Sequence, residues 1–567
     1  MAALGLAASP LLAAEPSVST PLVLIGGGPD DTALAAEALS LAGGTSARVG
    51  IVSAASSRPQ ESGPAYQQFF GAFGVTARYV PLPTRESAAA PEAVRPLAFS
   101  ELLFFSGGDQ SRLAERIAAT PVLGAIQNAW IRGAVVAGTS AGAMPWGSVF
   151  IANGSSVGAF SVAFDRDVQG NPGLELKSGL RLTDSLIVDT HFDTRGRLGR
   201  LLLAVAAHPA NSGIGVDEVT AAIVTGDGVR ALGRGAVTIV EARNLAGNNA
   251  ARASARMPFA AGPFRVHRLK SGQSVAMRQS AARPGPSPTP TQPPGFFFGL
   301  FGSQTASPLP NEASGPQQPI TLIGPAAPPP TLSSPANFVR DAGGTQAKLL
   351  ILTGNGASRD AETWRGHLLL LGAGRARVLT ASEVHDQNLS RALEASTGVF
   401  LLEDAAGSLD EVLTANRRQL RDVLATYAPR LPFAAAGLGV RILGPVAYLG
   451  NPGEAARLIK PGLDLVPATA AEDLTWEPGG VERLVQAALL SSRGLGIGLG
   501  TENSVRIEHG QVVVIGKGQA LFVEARNVAE FSVPPVGTVE PAQAIGLEVS
   551  VIPPDGVYDL IGRRPRF

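Results

Sequence analysis

Cysteine is absent from this 567-residue chain. That excludes disulfides, thiolate metal sites and a cysteine nucleophile, without fixing the compartment. Net charge is absent as well, because Lys+Arg and Asp+Glu both total 46. No overall field recruits nucleic acid or an anionic membrane, although local basic clusters stay open. After the N-terminus no apolar run is long enough for a membrane-spanning helix. No nucleotide-binding fingerprint completes itself: Gly26-Gly27-Gly28 reads as a tight turn after a strand. Histidines number six and are dispersed. No metal or organic cofactor is therefore expected.

What is present suits buried α/β domains: 45% hydrophobic and 16% charged residues. The chain is too long for one ordinary core. Proline-rich sequence from Arg283 to Pro294, and again at Ser307 to Pro310, cannot bury a core and reads as a linker over 283–318. An apolar island from Phe296 to Phe301 inside it reads as a hook onto a flanking domain or an interaction site. The two sides of the linker repeat each other. Gly233 to Ala246 returns as Gly516 to Ala529, Leu22 to Gly26 matches Ile320 to Gly324, and Arg48 to Val52 matches Lys348 to Leu352. So long a period means domain duplication. The expected organisation is a possible signal-peptide remnant over 1–15, one domain over 16–282 and a second over 319–567. Residues 1–15 look like the apolar core and cleavage end of a secretory signal without its basic start, which implies a secreted or periplasmic protein. A cytoplasmic one is implied if the segment is not a signal.

In the first half, apolar runs near 22–25, 47–52, 77–80, 102–105, 134–137, 185–188, 221–224 and 236–240 read as strands. Helical patterns lie at 110–119, 121–132 and 198–207. The alternation predicts α/β domains, each a doubly wound, mainly parallel sheet. Ligands on such sheets bind beyond the carboxyl ends of strands.

At one such end stands Gly138-Thr139-Ser140-Ala141-Gly142. A buried strand running through Gly-x-Ser-x-Gly into a helical turn lifts the serine hydroxyl out at the sheet edge. A serine nucleophile needs a base, a group to orient the base, and donors for the oxyanion. His191 follows the run Ser185 to Val188 and could share that edge. His208 reads as a helix cap, and His267 is expected in a polar tail. Asp217, Glu218 and Asp189 are all candidates for the orienting acid. Gly107 and Gly108, after Phe104-Phe105-Ser106, could form an oxyanion hole with the N–H of Ala141.

Four segments together, Phe104 to Gln110, Gly138 to Ala143, His191 to Leu201 and Gly213 to Glu218, resemble cyanophycinases in composition and order. These are serine peptidases on a fold similar to class I glutamine amidotransferases, which themselves use a cysteine that this chain lacks. The resemblance spans about residues 20–275. It implies Ser140 as nucleophile, His191 as general base and Glu218 as orienting acid. It also implies hydrolysis of cyanophycin, a polyaspartate whose β-carboxyls each carry an arginine in amide linkage, to β-Asp-Arg dipeptides. On that reading Gln110 matches a substrate-binding position. Arg195, Arg197 and Arg200 would grip aspartate carboxylates, with a structural ion pair as the alternative for Arg200. Asp189 could hold a guanidinium. Thr190 departs from the glutamine usual before the histidine, which puts exact substrate preference in doubt.

The second half has lost these residues. Gly138 to Gly142 falls on Ala435 to Gly439, so Gly437 replaces Ser140, and the Gly107-Gly108 pair falls on Glu403-Asp404. His191 falls near Leu474, and Arg195 and Arg197 near Pro478 and Gly480. Only Arg483 and Glu502 look retained. The second copy is therefore expected to be a pseudoenzyme that packs on the first as a pseudo-dimer or binds polymer. The alternatives for the whole chain are an aspartyl dipeptidase-like hydrolase of short peptides and a catalytically silent secreted binding protein.

Overall fold

The computed structural model describes residues 20–29, 32–167, 169–277, 318–324, 333–404, 407–415, 419–449, 458–471, 480–491, 494–500, 502–534 and 540–567. The N-terminal segment 1–15, nearly all of the linker including Phe296 to Phe301, and the region around Leu474 and Pro478 lie outside the described residues.

Short runs of Leu, Val, Ile and Phe make the parallel core of the first half. Leu22–Ile25, Val135–Thr139, Leu102–Phe105, Arg48–Val52 and Thr76–Tyr79 are neighbours in that order, each pair parallel. Every residue of Leu22–Ile25, Leu102–Phe105 and Val135–Thr139 is buried. Continuous apolar runs do this because helices cover both faces of the sheet, with a separate apolar core on each side. Burying one such Leu, Val, Ile or Phe contributes about 1.5–3 kcal/mol relative to leaving it in water. Thr220–Thr225, Gly228–Gly233 and Ser274–Val275 extend the sheet antiparallel beyond Leu22–Ile25. The expected α/β class is present, its parallel strands forming the centre.

The second half repeats this order. Arg375–Thr380, Lys348–Thr353, Gly398–Leu402, Phe433–Ala436 and Ile320–Ile323 form its parallel run, and Asn503–Glu508 and Gln511–Gly516 follow antiparallel.

A third sheet of ten strands is shared between the halves. Ala261–Leu269 pairs antiparallel with Gln543–Ile552 at its centre. Val237–Glu241, Ser212–Val216 and Leu186–Thr190 continue it on one side; Ala520–Glu524, Leu495–Gly498 and Thr469–Ala471 mirror them on the other. One apolar cluster draws residues from both halves, including Phe264, Leu484 and Val549. His267 lies in this central strand, buried, not in a polar tail, and burial pushes its imidazole down to about 4. The sequence reading missed this sheet because Ala261-Gly-Pro-Phe-Arg-Val-His-Arg-Leu269 carries Gly, Pro and charge inside a buried strand.

Candidate active site

Ser140 stands where Val135–Thr139 leaves the parallel sheet and enters the tight turn Ser140–Ala143. Its φ is +53°, in the left-handed region that a non-glycine residue adopts only under constraint. Two glycines permit the turn. A Cβ on Gly138 would lie 2.2 Å from the Gly142 carbonyl oxygen, and one on Gly142 would lie 2.3 Å from that of Phe105. Buried Trp146 holds the turn from below, its indole N–H donating to Gly142 O at 2.8 Å.

Across the sheet edge, the Ser140 Oγ lies 2.7 Å from His191 Nε2, and His191 Nδ1 lies 2.7 Å from Glu218 Oε1. His191 follows the strand Leu186–Thr190 and also has a positive φ, +49°. Glu218 follows Ser212–Val216, a strand parallel to Leu186–Thr190, so two adjacent strand ends bring the imidazole and a carboxylate together. Among the three candidate acids Glu218 alone touches the imidazole. Burial pushes the His191 imidazole below its ordinary value, and Arg195 and Arg197 push the same way; the Glu218 hydrogen bond opposes them. The ring is therefore neutral near pH 7, the form that can accept a proton. Gly27 packs against the ring, since a Cβ there would lie 2.5 Å from His191 Cε1. The glycine triplet read as a plain turn thus also makes room for the imidazole.

Gly107 and Gly108 sit beside the serine. A Cβ on Gly107 would lie 3.1 Å from that of Ser140, and Gly108 has a φ of +140°. Among the described residues the N–H groups of both glycines donate to no protein acceptor. Ala141 follows Ser140 within the turn. These amides can meet a negative oxygen developing near Ser140.

The polar residues expected to bind substrate divide. Asp189 is fully buried, and its carboxylate is taken by this chain's own guanidiniums. Arg200 Nε donates to Asp189 Oδ2 at 2.6 Å and Arg200 Nη2 to Oδ1, while Arg197 Nη1 donates to Oδ1 at 3.0 Å. Burial alone would raise this carboxyl, yet the two arginines hold it below its ordinary range. The expectation that Asp189 holds a substrate guanidinium is therefore corrected. So is that for Arg200, whose remaining Nη1 donates to Gly154 O at 2.5 Å. Arg197 is half engaged, donating also to Thr190 O at 2.6 Å. Arg195 is exposed beside the imidazole and stays available. The Gln110 amide nitrogen is committed to the carbonyls of Ile151 and Ala152, at 2.9 and 2.8 Å, which leaves its carbonyl oxygen for a ligand. Thr190 is 1% exposed and its hydroxyl has no partner, so it faces the interior.

The model of Peptidase family S51 matches residues 22–232. A cyanophycinase from Synechococcus elongatus is 34% identical over 264 residues, covering 45% of this chain and 79% of that protein. One from Nostoc sp. (strain PCC 7120 / SAG 25.82 / UTEX 2576) is 33% identical over 277 residues, covering 47% and 90%. The chain belongs to the cyanophycinase family. It is a serine-type peptidase of family S51. Among solved structures, a peptidase from an acI-B1 Actinobacterium is 22% identical, with a TM-score of 0.33, covering 46% of this chain and 98% of that one.

Among the described residues the cyanophycinase-like site lies in the first half. At the equivalent turn of the second half stands Gly437, with a φ of +53°. Where the first half presents glycine amides, the second presents Glu403 and Asp404. The Glu403 carboxylate is buried and accepts N–H groups of Leu409 and Asp410 at 3.1 and 2.6 Å; burial raises it to about 7. Asp404 accepts the Gly356 N–H at 2.8 Å and is held below its ordinary range: burial opposes the shift, and bonds from Ser408 and backbone amides outweigh it. The retained Arg483 is buried in the helix Gly480–Leu490, whereas Glu502 is exposed.

That helix reaches back toward the first half. Its Glu482 pairs with buried Arg268 of the central strand and also accepts the Ala542 N–H at 2.6 Å. Arg268 also lies within the electrostatic reach of two carboxylates, Asp193 and Asp217, each next to or near the His191–Glu218 pair in sequence. Asp217 accepts the Asp193 N–H at 3.1 Å and the Ala236 N–H at 2.8 Å, fixing the turn two residues past His191. Burial raises both carboxyls, Asp193 to about 7 with help from the Asp217 charge, and Arg268 opposes both shifts. A second tie runs from Gln519 Nε2 to Phe160 O at 2.8 Å. The helix Ser156–Ser161 in turn bonds the same turn, through Ser156 Oγ to Gly196 O at 2.6 Å. Sequence reading had no signal for these ties, since their partners lie more than 200 residues apart.

Proposed function

We propose that this chain hydrolyses cyanophycin to β-Asp-Arg dipeptides through Ser140, His191 and Glu218. The observation that carries the reading is the unbroken relay from Ser140 Oγ through both imidazole nitrogens to Glu218, with 2.7 Å at each link. His191 takes the proton from Ser140 as the hydroxyl attacks the substrate carbonyl. Glu218 orients the ring and stabilises the imidazolium that forms. The N–H groups of Gly107, Gly108 and Ala141 receive the oxyanion. His191 then passes its proton to the leaving amine, and water, deprotonated by the same ring, releases the acyl group from Ser140.

The substrate is drawn from the relatives, which are named cyanophycinases. With Asp189 and Arg200 paired to each other, Arg195 and the free edge of Arg197 are the cations left to meet a substrate carboxylate. The second half is read as a non-catalytic companion that stands in for a second copy of the first, joined to it through the shared sheet.

Incubating the purified chain with cyanophycin and separately with α-Asp dipeptides tests the substrate. Release of β-Asp-Arg from the polymer supports the proposal. Turnover of only the dipeptides replaces it with an aspartyl dipeptidase, and turnover of neither leaves a binding protein.

A further inference from the structure

Both halves carry a groove at the amino ends of their parallel strands, the end of the sheet opposite Ser140. That of the first half, about 510 Å³, is lined by Arg48, Arg78, Arg95 and one carboxylate, Glu92. That of the second, about 570 Å³, is lined by Lys348, Arg365, Arg375 and Arg377, with no carboxylate.

The backbone shows which positions correspond. Arg48 lies opposite Thr76 and Gly50 opposite Arg78; Lys348 lies opposite Arg375 and Leu350 opposite Arg377. The Arg48 N–H donates to the Glu101 side chain at 2.8 Å, and the Lys348 N–H donates to the Thr397 side chain at 2.9 Å. The duplication has thus kept a cation at 48/348 and at 78/377. Where the first half has Thr76 the second has Arg375, and where the first has Glu101, which pairs with Arg48, the second has Thr397. The half without the serine nucleophile has the more positive groove. Lys348, Arg375 and Arg377 are exposed and enter no ion pair among the described residues, while Arg365 is paired to Glu362. In a chain of zero net charge this concentration of cations is local.

We propose that the groove of the second half anchors the polymer substrate by its row of carboxylates, an inference that rests on the cyanophycin reading above. Arg375 and Arg377 are two residues apart on one strand, so they face the same way, about 7 Å apart. An extended polyaspartate chain presents alternate side groups at the same repeat. An arginine joined to it through its α-amine keeps an α-carboxylate close to the chain, with its guanidinium at the end of a three-carbon arm. The carboxylates meet the groove cations while the guanidiniums extend past them into water. Holding the polymer at one point raises its effective concentration at the distant serine.

The test uses the full-length Ser140→Ala chain, which does not consume its ligand, sedimented with insoluble cyanophycin particles. Adding K348E/R375E/R377E should weaken particle binding by about tenfold or more, as loss of a local field does. Soluble polyaspartate should compete with the parent. In the Ser140 background the same triple change should slow digestion of particles and leave kcat/KM for a short soluble β-Asp-Arg oligomer unchanged. The neutral pair R375Q/R377Q repeats the measurement should the triple variant melt early. Parent-like binding and digestion by a variant with parent-like melting overturns the anchor. If the Ser140 protein releases no dipeptide while charge-dependent sedimentation persists, the cyanophycinase reading falls and the anchor stands.

Discussion

Ser140 and Gly437 occupy the same turn of two copies of one fold, each with a φ of +53°. In the first copy that conformation is imposed on a serine, at a cost on the order of 1–3 kcal/mol. In the second it falls on a glycine, which adopts it freely. The turn is the same with and without the hydroxyl. The neighbouring positions differ as well: bare amides at Gly107 and Gly108 in the first copy stand against the acidic side chains Glu403 and Asp404 in the second, and the Asp404 charge would repel an oxyanion. The strand order, the register of the parallel strands and the shared sheet persist, because each is held by buried apolar side chains and backbone hydrogen bonds that catalysis does not use.

The largest expected difference between the copies lies in the serine itself. Ser140→Ala should lower kcat on the polymer by about six orders of magnitude, whereas Gly437→Ser should add no activity. A kinetic comparison of the two variants with the parent decides this, and equal activity of Ser140→Ala and parent would break the contrast. Glu218→Gln should cost about 10⁴ in kcat with little change in KM, because the amide can hold the wrong imidazole tautomer. Acting from the second copy, Glu482 should matter less but measurably. R268M/E482M replaces a buried ion pair with apolar side chains, a change that often preserves or raises stability. Melting near that of the parent is therefore expected, with kcat lowered about tenfold because Asp217 loses its cation and its grip on the turn after His191 loosens. Parent-like kcat would reduce the pair to simple adhesion.

Two pH effects follow. Because burial lowers the His191 imidazole below 6.5, the acid limb of kcat/KM should have its midpoint below that value; a midpoint above it would contradict the neutral base. Asp193 behaves in the opposite sense, its carboxyl raised from 3.8 to about 7. Its contribution to stability is complete below 3.8 and is lost as pH rises toward 7, since the folded state holds a proton that the unfolded chain has released. Denaturant unfolding from pH 4 to 7 should record that loss, and R268M/E482M should extend it to higher pH. The smallest change expected is in Thr190→Val, which removes a buried hydroxyl without a partner and should stabilise the chain by about 1 kcal/mol without altering activity.

Much of the first copy was legible in sequence. The runs at 22–25 and 102–105, and the helix beginning at Leu198, are long enough in apolar residues, or regular enough in period, to declare themselves. The position of Ser140 followed from its glycines and that of His191 from its place after a strand, whereas Glu218 stood level with Asp217 and Asp189 until the family resemblance singled it out. Charged residues in that neighbourhood were harder to read. An arginine that grips a ligand and one that grips Asp189 look alike in sequence, and only burial separates them. The central strand Ala261–Leu269 escaped notice because it carries Gly, Pro and charge, and because one of its neighbours is supplied by the other copy.

The contrast between copies is tested most directly by labelling the full chain with a serine-reactive fluorophosphonate and mapping the adduct by mass spectrometry. One label per chain, on Ser140, and none in a His191→Ala variant, is the expected result. A label on a serine of the second copy, or on none at all in a protein that still cleaves its substrate, would contradict the account.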